Sequence, residues 1–379
     1  MPSLKKLLER TANHALVGSV LLGQLVFLLP ISSPKIVASD FPSFYAAARI
    51  WRTGGNPYSL SEQCKAQTAI RSADLPCLPL AHPPILLPLV SEISSDNLVA
   101  SYWRWLTVLV LISIASLVPL YFLSRNLMLS IESLLFLPLV TGVLLGQDVP
   151  LILFGALMWA YLLLTGRDFA SGLALSLSVI KPHIAILLAL PLLFSRRTAF
   201  LGFCAGALAL TVFSFALVGL SGFRGLLEIA QIMSKGEGFG IYQSKMPNAT
   251  GLLVSAGLSP FWSWGIFVFG VVAISLLWRQ RGLSQSTLGI AVIVALFAVP
   301  HTHFHDLCLL LIPLWPLSAS YPSALAVASL SLLIGAGLSA EPVVAYCLML
   351  ILLWFHARRS ARDLRFPAKH DIAIRQTWI

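Results

Sequence analysis

The sequence predicts an all-α fold, a polytopic transmembrane helical bundle with about 12 spans. Of its 379 residues, 58% are hydrophobic and only 11% are charged. A soluble chain of this length needs more polar residues to cover its surface, so a soluble enzyme, a disordered chain and a disulfide scaffold are all disfavoured. The net charge is +10, but the basic residues lie in short clusters between apolar runs. This is the pattern of cytoplasmic loops and argues against a nucleic-acid partner.

The apolar runs are taken as spans because about 20 apolar residues cross a bilayer. The first run, at residues 14–31, follows Lys5, Lys6 and Arg10 and has no convincing cleavage site, so it is expected to remain as an anchor. The other runs lie at residues 103–123, 132–146, 149–165, 170–182, 184–195, 199–220, 260–278, 285–299, 306–319, 322–338 and 342–356.

The orientation follows from the basic residues. With the amino terminus inside and about twelve spans, every basic cluster falls on the cytoplasmic side, as the positive-inside rule predicts. The segments then placed on the outer face are residues 32–101, 146–150, 221–259 and 300–305, with the turn at 181–183. We therefore expect a single transmembrane domain at residues 1–357, with its first outer loop at 32–101. A basic cytoplasmic tail at residues 358–379 follows, placed against anionic lipid.

The first outer loop predicts an amphipathic helix that begins near Phe41 and ends before Gly54. Its apolar face resembles that of a helix lying on the membrane surface. Asp40, just before the helix, has two interpretations. It is either a plain helix N-cap or a carboxylate at the mouth of a cavity that acts as a general base.

The five cysteines divide between two environments. Cys64 and Cys77 lie in the first outer loop, whereas the other three lie in apolar runs. The outer placement favours a disulfide between Cys64 and Cys77, and two free thiols are the alternative.

Further polar residues are predicted on the outer face, with none comparable inside the membrane on the other side. Ionisable groups at membrane depth are costly, which makes them candidates for function. The runs flanking Lys181 are short, and Pro182 disfavours helix at Lys181, so this lysine is expected to lie in a pocket. The remaining members of this polar set are Gln147, Asp148, His183, His301, His303, His305 and Asp306.

The three histidines from His301 also invite a metal hypothesis. No fixed carboxylate partner accompanies them, so hydrogen bonding to a substrate or phosphate is favoured over metal binding. A loop with interfacial histidines is the remaining alternative. We expect no cofactor and no metal.

Short motifs of the chain occur in the order of a known family. The first-loop stretch from Asp40 to Tyr58 is the most specific of them. The others are His82-Pro83-Pro84, Gly146-Gln147, Lys181-Pro182, Asn248-Ala249-Thr250 and the histidine segment 301–306. Together they resemble glycosyltransferase family 87, GT-C-type membrane mannosyltransferases that use polyprenyl-phosphate-mannose. The chain departs from the family at Asp148, which replaces an asparagine, and at residues 300–306, which lack a tryptophan.

The resemblance implies a GT-C glycosyltransferase-like fold with catalysis at the outer face. It implies a polyprenyl-phosphate-sugar donor, a lipid or glycan acceptor, and mannose as the sugar by family default. Asp40 matches the catalytic aspartate of the family's first loop. We expect an inverting single displacement with Asp40 as the general base.

The remaining site residues are assigned by charge and hydrogen-bonding capacity. The leaving phosphate needs cations or donors in a low-dielectric site. The candidates for donor phosphate binding are Lys181, His183, His303, His305 and Arg49, although Arg49 is equally suited to lipid headgroups. The candidates for sugar or acceptor binding are Asn56, Tyr58, Gln147, Asp148, Asn248 and His301.

Two other functions fit the composition. A transporter or flippase of lipid-linked saccharides also has many spans and a polar cavity, but it should show interrupted helices in related halves. A structural subunit does not need such polar residues gathered on one side. The expected location is a bacterial inner (plasma) membrane, with membrane lipids as neighbours and the site facing the periplasm or exterior.

Overall fold

The structure is a computed structural model and describes residues 4–28, 33–70, 75–234, 242–321 and 323–365. Helices account for 82% of the structure, and no strand occurs among the described residues. The all-α prediction is therefore confirmed. The α-helices of the described part are α1 (Leu4–Leu28), α2 (Ser33–Ala38), α3 (Phe41–Arg52), α4 (Leu60–Thr68), α5 (Leu87–Ile93), α6 (Leu98–Ala115), α7 (Leu117–Ser124), α8 (Leu127–Ser133), α9 (Leu137–Leu145), α10 (Val149–Leu164), α11 (Asp168–Ser176), α12 (Pro182–Ser195), α13 (Arg197–Ser234, broken at Gly219), α14 (Ala249–Ser255), α15 (Trp262–Arg281), α16 (Gln285–Ala298), α17 (Leu311–Ser320), α18 (Ser323–Gly337) and α19 (Glu341–Arg365). Four 3₁₀ segments accompany them, at Pro84–Leu86, Leu177–Ile180, Gln243–Lys245 and Phe304–Leu310.

The described helices differ widely in length. Four stretches are long and apolar enough to cross a membrane: Leu98–Ser124, Arg197–Met233, Trp262–Arg281 and Glu341–Ser360. The pair α8 and α9, bent by 47°, adds a fifth if it counts as one span. Each predicted apolar run has helix within it, but the count of about twelve spans is not confirmed, because several of these helices are shorter than about 20 residues.

The outer faces of the long helices are apolar. Leu208 and Val212 of α13 and Val268 and Phe269 of α15 are all exposed. Apolar side chains repeated along an exposed helix face are costly in water and suit contact with lipid tails. The exterior of these helices therefore agrees with a protein embedded in a membrane.

The predicted helix of the first outer loop exists, but it does not lie on the surface. All eight residues from Phe41 to Ala48 are buried, so the first two turns of α3 are enclosed by the protein on every side. The ring centroid of Phe44 lies 6.1 Å from that of Trp105 on α6. The surface interpretation is wrong because the face opposite the aromatic residues carries small alanines, which allow other helices to approach closely.

The segment that follows α3 is held by a disulfide and two buried amides. The structure joins Cys64 and Cys77 in a disulfide. The side-chain oxygen of Gln63 accepts a hydrogen bond from the backbone N–H of Leu80 at 2.8 Å. Gln67 bonds to both backbone groups of Leu78. These contacts fasten residues 77–80 to α4, just before the segment that enters the site.

The predicted break at Lys181 is present. A 3₁₀ segment ends at Ile180, and α12 starts at Pro182, so Lys181 lies between two helical stretches with φ −117° and ψ 82°. Proline at the first position of α12 loses no hydrogen bond there and excludes a continuous helix through Lys181. The lysine side chain is only 7% exposed and lines a cavity.

A second buried polar pair lies away from that cavity. The His14 ring on α1 is 2.9 Å from the Glu132 carboxylate on α8. The sequence did not indicate this pair, which joins two helices of the described part. Each group provides the other with its partner, so the pair can attach α1 to the bundle without a ligand.

The carboxyl-terminal helix continues past the predicted domain boundary. Helix α19 extends to Arg365, so the first part of the predicted tail is helical. The rest of the predicted tail, residues 366–379, lies outside the described residues.

The crossing of α11 and α13 depends on Gly172. A Cβ atom at this position would lie 1.9 Å from the carbonyl oxygen of Ala199 and 2.5 Å from the backbone nitrogen of Phe203. Gly172→Ala is therefore expected to push the helices apart and to lower stability by about 1–3 kcal/mol. Thermal unfolding in detergent measures this effect.

The matched control is Gly265→Ala on α15, where nothing lies within 4 Å of an added Cβ. Its melting temperature is expected to equal or slightly exceed that of the wild type, because alanine favours helix over glycine. A wild-type melting temperature for Gly172→Ala would contradict the close crossing.

Candidate active site

A cavity of about 1310 Å³ lies where the ends of several helices and their connecting segments meet. Its walls come from the start of α3, the segment 75–82, the α9–α10 turn, the start of α12, the second half of α13, the segment 242–250, the start of α15 and the loop 300–305. Seven of the site residues that the sequence indicates line this cavity: Asp40, Gln147, Lys181, His183, His301, His303 and His305. Other polar side chains in its walls are Ser43, His82, Gln231, Tyr242, Gln243, Lys245, Thr250, Ser259, Ser263 and Glu341.

Asp40 lies at the cavity wall immediately before α3. Its backbone N–H donates to the carbonyl of Leu145 at 3.1 Å. Its side chain forms no capping bond to α3. Instead, the side-chain amide of Gln147 donates to the Asp40 carboxylate at 2.6 Å. The carboxylate is thus oriented by a side chain of the cavity, and the N-cap interpretation of its side chain does not hold.

The turn between α9 and α10 carries Gln147 and Asp148 and depends on Gly146. Gly146 has φ +76°, a left-handed conformation that disfavours residues with a Cβ. A Cβ there would also lie 2.8 Å from the Cβ of Phe41. Glycine therefore lets the turn approach the start of α3 and brings Gln147 to Asp40.

Asp148 is turned away from the cavity. It is fully buried and its carboxylate lies 2.7 Å from Nδ1 of His82. The prediction that Asp148 contacts sugar directly is not supported by this position, since its side chain does not line the cavity. His82 does line the cavity, so Asp148 is connected to the cavity only through its contact with His82.

Lys181 forms the centre of a buried charged cluster. Its ammonium group donates to the carboxylate of Asp306 and lies 3.2 Å from Nε2 of His305. The second carboxylate oxygen of Asp306 accepts a hydrogen bond from the backbone N–H of His303 at 2.8 Å. Asp306 therefore supplies the counter-charge that a buried lysine requires. It also holds in place the loop 300–305, which carries His301, His303 and His305 and is called the histidine loop below.

The loop of His301 and His303 lies outside any helix, between α16 and the 3₁₀ segment Phe304–Leu310. The two Nε2 atoms are 2.8 Å apart. Burial lowers the pKa of both imidazoles to about 3, and neighbouring imidazoles and Lys181 act in the same direction. Both rings are thus neutral near pH 7 and would bond to a substrate without charge. The positive charge in the cavity comes from lysines, Lys181 and Lys245.

The start of α14 anchors the same loop. The amide of Asn248 donates to the carbonyl of Val299 at 2.8 Å, and its oxygen accepts from the N–H of Gly251 at 3.0 Å. The hydroxyl of Thr250 donates to the carbonyl of Pro300 at 2.7 Å. Asn248 is fully buried and is not part of the cavity lining, and the bonds that its side chain makes here hold the loop.

Three other predicted residues also lie outside the cavity lining. Arg49 donates to the hydroxyl of Tyr45 and forms an ion pair with Asp96, and it is not part of the cavity lining. Asn56 caps its own turn by accepting from the N–H of Tyr58 at 3.0 Å. Tyr58 is buried and donates to the carbonyl of His82 at 2.6 Å.

Metal binding has no matching geometry in the described part of the chain. No three His, Cys, Asp or Glu side chains there converge as ligands of one ion. His183 also lines the cavity, but its ring centroid lies 6.2 Å from that of His301 and perpendicular to it. The histidines contact each other and Lys181 instead of a common centre.

Sequence reasoning missed three residues of this site. The sequence indicates His82 only as part of a motif and Asp306 only as a neighbour of the histidines, and no pattern in it singles out Lys245. The partner of Lys181 could have been suspected, because a lysine predicted at membrane depth calls for a carboxylate nearby. No sequence signal indicated that His82 and Asp148, 66 residues apart, would pair.

The sequence model of glycosyltransferase family 87 matches residues 79–313, which is more than half of the chain. The chain belongs to glycosyltransferase family 87. No curated protein and no solved structure matches it.

Membership in family 87 makes the chain a membrane glycosyltransferase, with a sugar donor and an acceptor as its substrates. It favours transfer over the alternative of a transporter or flippase. The matched region includes His82, Lys181 and the histidine loop, whereas Asp40 precedes it. The role of Asp40 therefore depends on its place in the cavity and on the first-loop motif.

Proposed function

We propose that this family 87 enzyme transfers a hexose, mannose by family resemblance, from a polyprenyl-phosphate donor to a lipid or glycan acceptor. The supporting observation is that Asp40 and Lys181 line the same cavity. A carboxylate can accept a proton from the acceptor, and a cation can stabilise the departing phosphate. The reaction so proposed needs no cofactor.

The proposed reaction is a single displacement with inversion. An acceptor hydroxyl oxygen attacks the anomeric carbon and forms the new glycosidic bond. The bond between the anomeric carbon and the phosphate oxygen breaks, and its electron pair stays on the polyprenyl phosphate. Asp40 takes the hydroxyl proton, and the amide of Gln147 keeps the carboxylate oriented for that step.

The leaving phosphate is proposed to lie at the Lys181 end of the cavity. Lys181 is buried and contacts the histidine loop, so a phosphate there would meet an ammonium group together with neutral imidazole donors. An ion in a water-poor site interacts more strongly than it would in bulk water. The carboxylate of Asp306 offsets part of the positive charge of Lys181. Hydrogen bonds from His301 and His303 would add to the stabilisation of the phosphate.

An apolar wall of the cavity suits the prenyl chain. Ile186 of α12, Leu227 of α13, Phe261, and Trp264 and Phe267 of α15 all line it. Of these, Ile186, Leu227, Phe261 and Trp264 are also exposed. A wall that reaches from the polar cavity to an apolar exterior can hold a lipid whose head is in the cavity and whose tail is in the bilayer.

The proposed setting is a GT-C-type fold in a bacterial inner membrane, with the cavity on the outer face. The basic clusters at the ends of α13 and α15, among them Arg197, Arg279 and Arg281, support this orientation through the positive-inside rule. A donor carried by a polyprenyl lipid fits that face, because the lipid stays in the membrane where the cavity opens.

Reconstituted vesicles test the proposed function. The purified chain is incubated with a radiolabelled polyprenyl-phosphate hexose, once with mannose and once with glucose, and with a lipid acceptor extract. A new labelled product resistant to mild acid is expected, because the donor's sugar–phosphate bond is acid-labile. Label that only crosses the membrane without a new glycosidic bond would support a flippase. No transfer from either donor would contradict the proposal.

A further inference from the structure

His82 and Asp148 form a side-chain pair that the reaction above leaves without a role. The Nδ1 atom of His82 lies 2.7 Å from a carboxylate oxygen of Asp148. The Asp148 side chain is 1% exposed, whereas His82 is 18% exposed and lines the cavity. The other oxygen of Asp148 is buried without a hydrogen-bond partner among the described residues. A carboxylate buried with this imidazole as its partner is expected to hold the ring firmly.

Other contacts hold the same histidine. The hydroxyl of Tyr58 donates to the His82 carbonyl at 2.6 Å. The ring of Phe44 meets the imidazole edge to face, with 5.4 Å between centroids. With Nδ1 turned toward the buried carboxylate, the opposite edge of the ring, which carries Nε2, is the part left to line the cavity.

The turn between α9 and α10 carries the side chains that contact both His82 and Asp40. Gln147 donates to the Asp40 carboxylate, and the next residue, Asp148, binds His82. Phe44, which contacts the His82 ring, lies one helical turn after Asp40 on α3. The Gly146 turn thus sets the relative positions of two polar side chains that line one cavity.

We propose that His82 is a substrate-binding residue whose Nε2 atom forms a hydrogen bond with a hydroxyl group of the sugar substrate held at Asp40, and that Asp148 is the positioning residue that aims this atom. A hydroxyl group both donates and accepts, so the bond forms with either protonation state of Nε2. The inference rests on the proposed glycosyl transfer and adds a specificity-determining contact to it.

Two substitutions separate binding from structure. His82→Asn places an amide near the position of Nδ1, so it can still meet Asp148 but lacks a polar atom at the position of Nε2. His82→Gln places its amide near the position of Nε2 and keeps the cavity contact. Losing one hydrogen bond to substrate is expected to raise KM in His82→Asn by about tenfold. The KM of His82→Gln should stay closer to that of the wild type. His82→Asn keeps the contact with Asp148 and should melt near the wild-type temperature, whereas His82→Gln leaves the buried Asp148 carboxylate without its partner and should melt lower.

The kinetic assay titrates the polyprenyl-phosphate sugar and the acceptor separately. A raised KM for the donor assigns the hydroxyl to the transferred sugar, and a raised KM for the acceptor assigns it to the acceptor. Asp148→Leu should raise the same KM, and Asp148→Asn, which keeps an oxygen for Nδ1, should partly restore it. A purely structural role would change the melting temperature without this pattern.

The outcomes distinguish this inference from the proposed function. If the wild type transfers sugar and His82→Asn has wild-type KM values, His82 makes no substrate contact and the inference is overturned. If the wild type transfers no sugar from any polyprenyl-phosphate donor, the proposed function fails, and the sugar contact of His82 fails with it. Should His82→Asn fail to fold, equal KM values for Asp148→Leu and Asp148→Asn overturn the positioning role instead.

Discussion

Asp40→Asn is expected to lower the rate of sugar transfer by about 10²- to 10⁴-fold, the range that a general base contributes. Asparagine is similar in size to aspartate but does not accept the acceptor proton. Its side-chain oxygen can still accept the hydrogen bond that Gln147 now donates at 2.6 Å, so the local structure should persist. The measurement is the transfer rate at saturating donor and acceptor.

The same variant should bind the donor with unchanged affinity and melt at the wild-type temperature. The matched control is Asp96→Asn, because the Asp96 side chain is 91% exposed and lies away from the cavity lining. It removes a carboxylate in the same way and should keep full activity. If Asp40→Asn transfers sugar at the wild-type rate, Asp40 is not the base.

Lys181→Met is expected to reduce donor affinity by about tenfold to a hundredfold, which is the loss of one charge-assisted hydrogen bond to a phosphate. The structure adds a second effect that the sequence did not indicate. The carboxylate of Asp306 is buried against Lys181, so the variant leaves a buried charge without its cation. Such a loss costs about 3–5 kcal/mol of stability.

A double variant separates the two effects of Lys181. Lys181→Met combined with Asp306→Asn removes both buried charges and should regain most of the lost melting temperature. It should not regain donor affinity, because the ammonium group is still absent. Donor binding is measured by thermal shift or by competition with a labelled polyprenyl phosphate. A double variant that folds and binds the donor with wild-type affinity would show that Lys181 does not contact the phosphate.

The sequence predicted the fold class well because that depends on composition and on runs of apolar residues. The helix after Asp40 and the break at Lys181 were also predictable, since Pro42 and Pro182 limit the backbone locally. The location of α3 was not predictable. Whether an apolar helix packs on lipid or on protein depends on helices that come later in the chain.

The candidate site shows the same division. Asp40, Gln147, Lys181 and the histidine loop were selected because polar residues are scarce in this chain, and they line one cavity. Arg49 and Asn248 were selected for the same reason, yet each is engaged elsewhere. A residue type indicates which bonds a side chain can form, but not which neighbour is near enough to form them.

The sequence by itself determined that the protein is an all-helical membrane protein and that a few polar positions stand out, because apolar runs and prolines act through local physics. Its family-specific motifs indicated a glycosyltransferase. Only the tertiary structure decided which polar groups pair, as in Lys181 with Asp306 and Asp148 with His82. The partners of these two pairs are 125 and 66 residues apart in the chain. A buried charge without a partner is costly away from water, so the fold that brings each pair together is favoured.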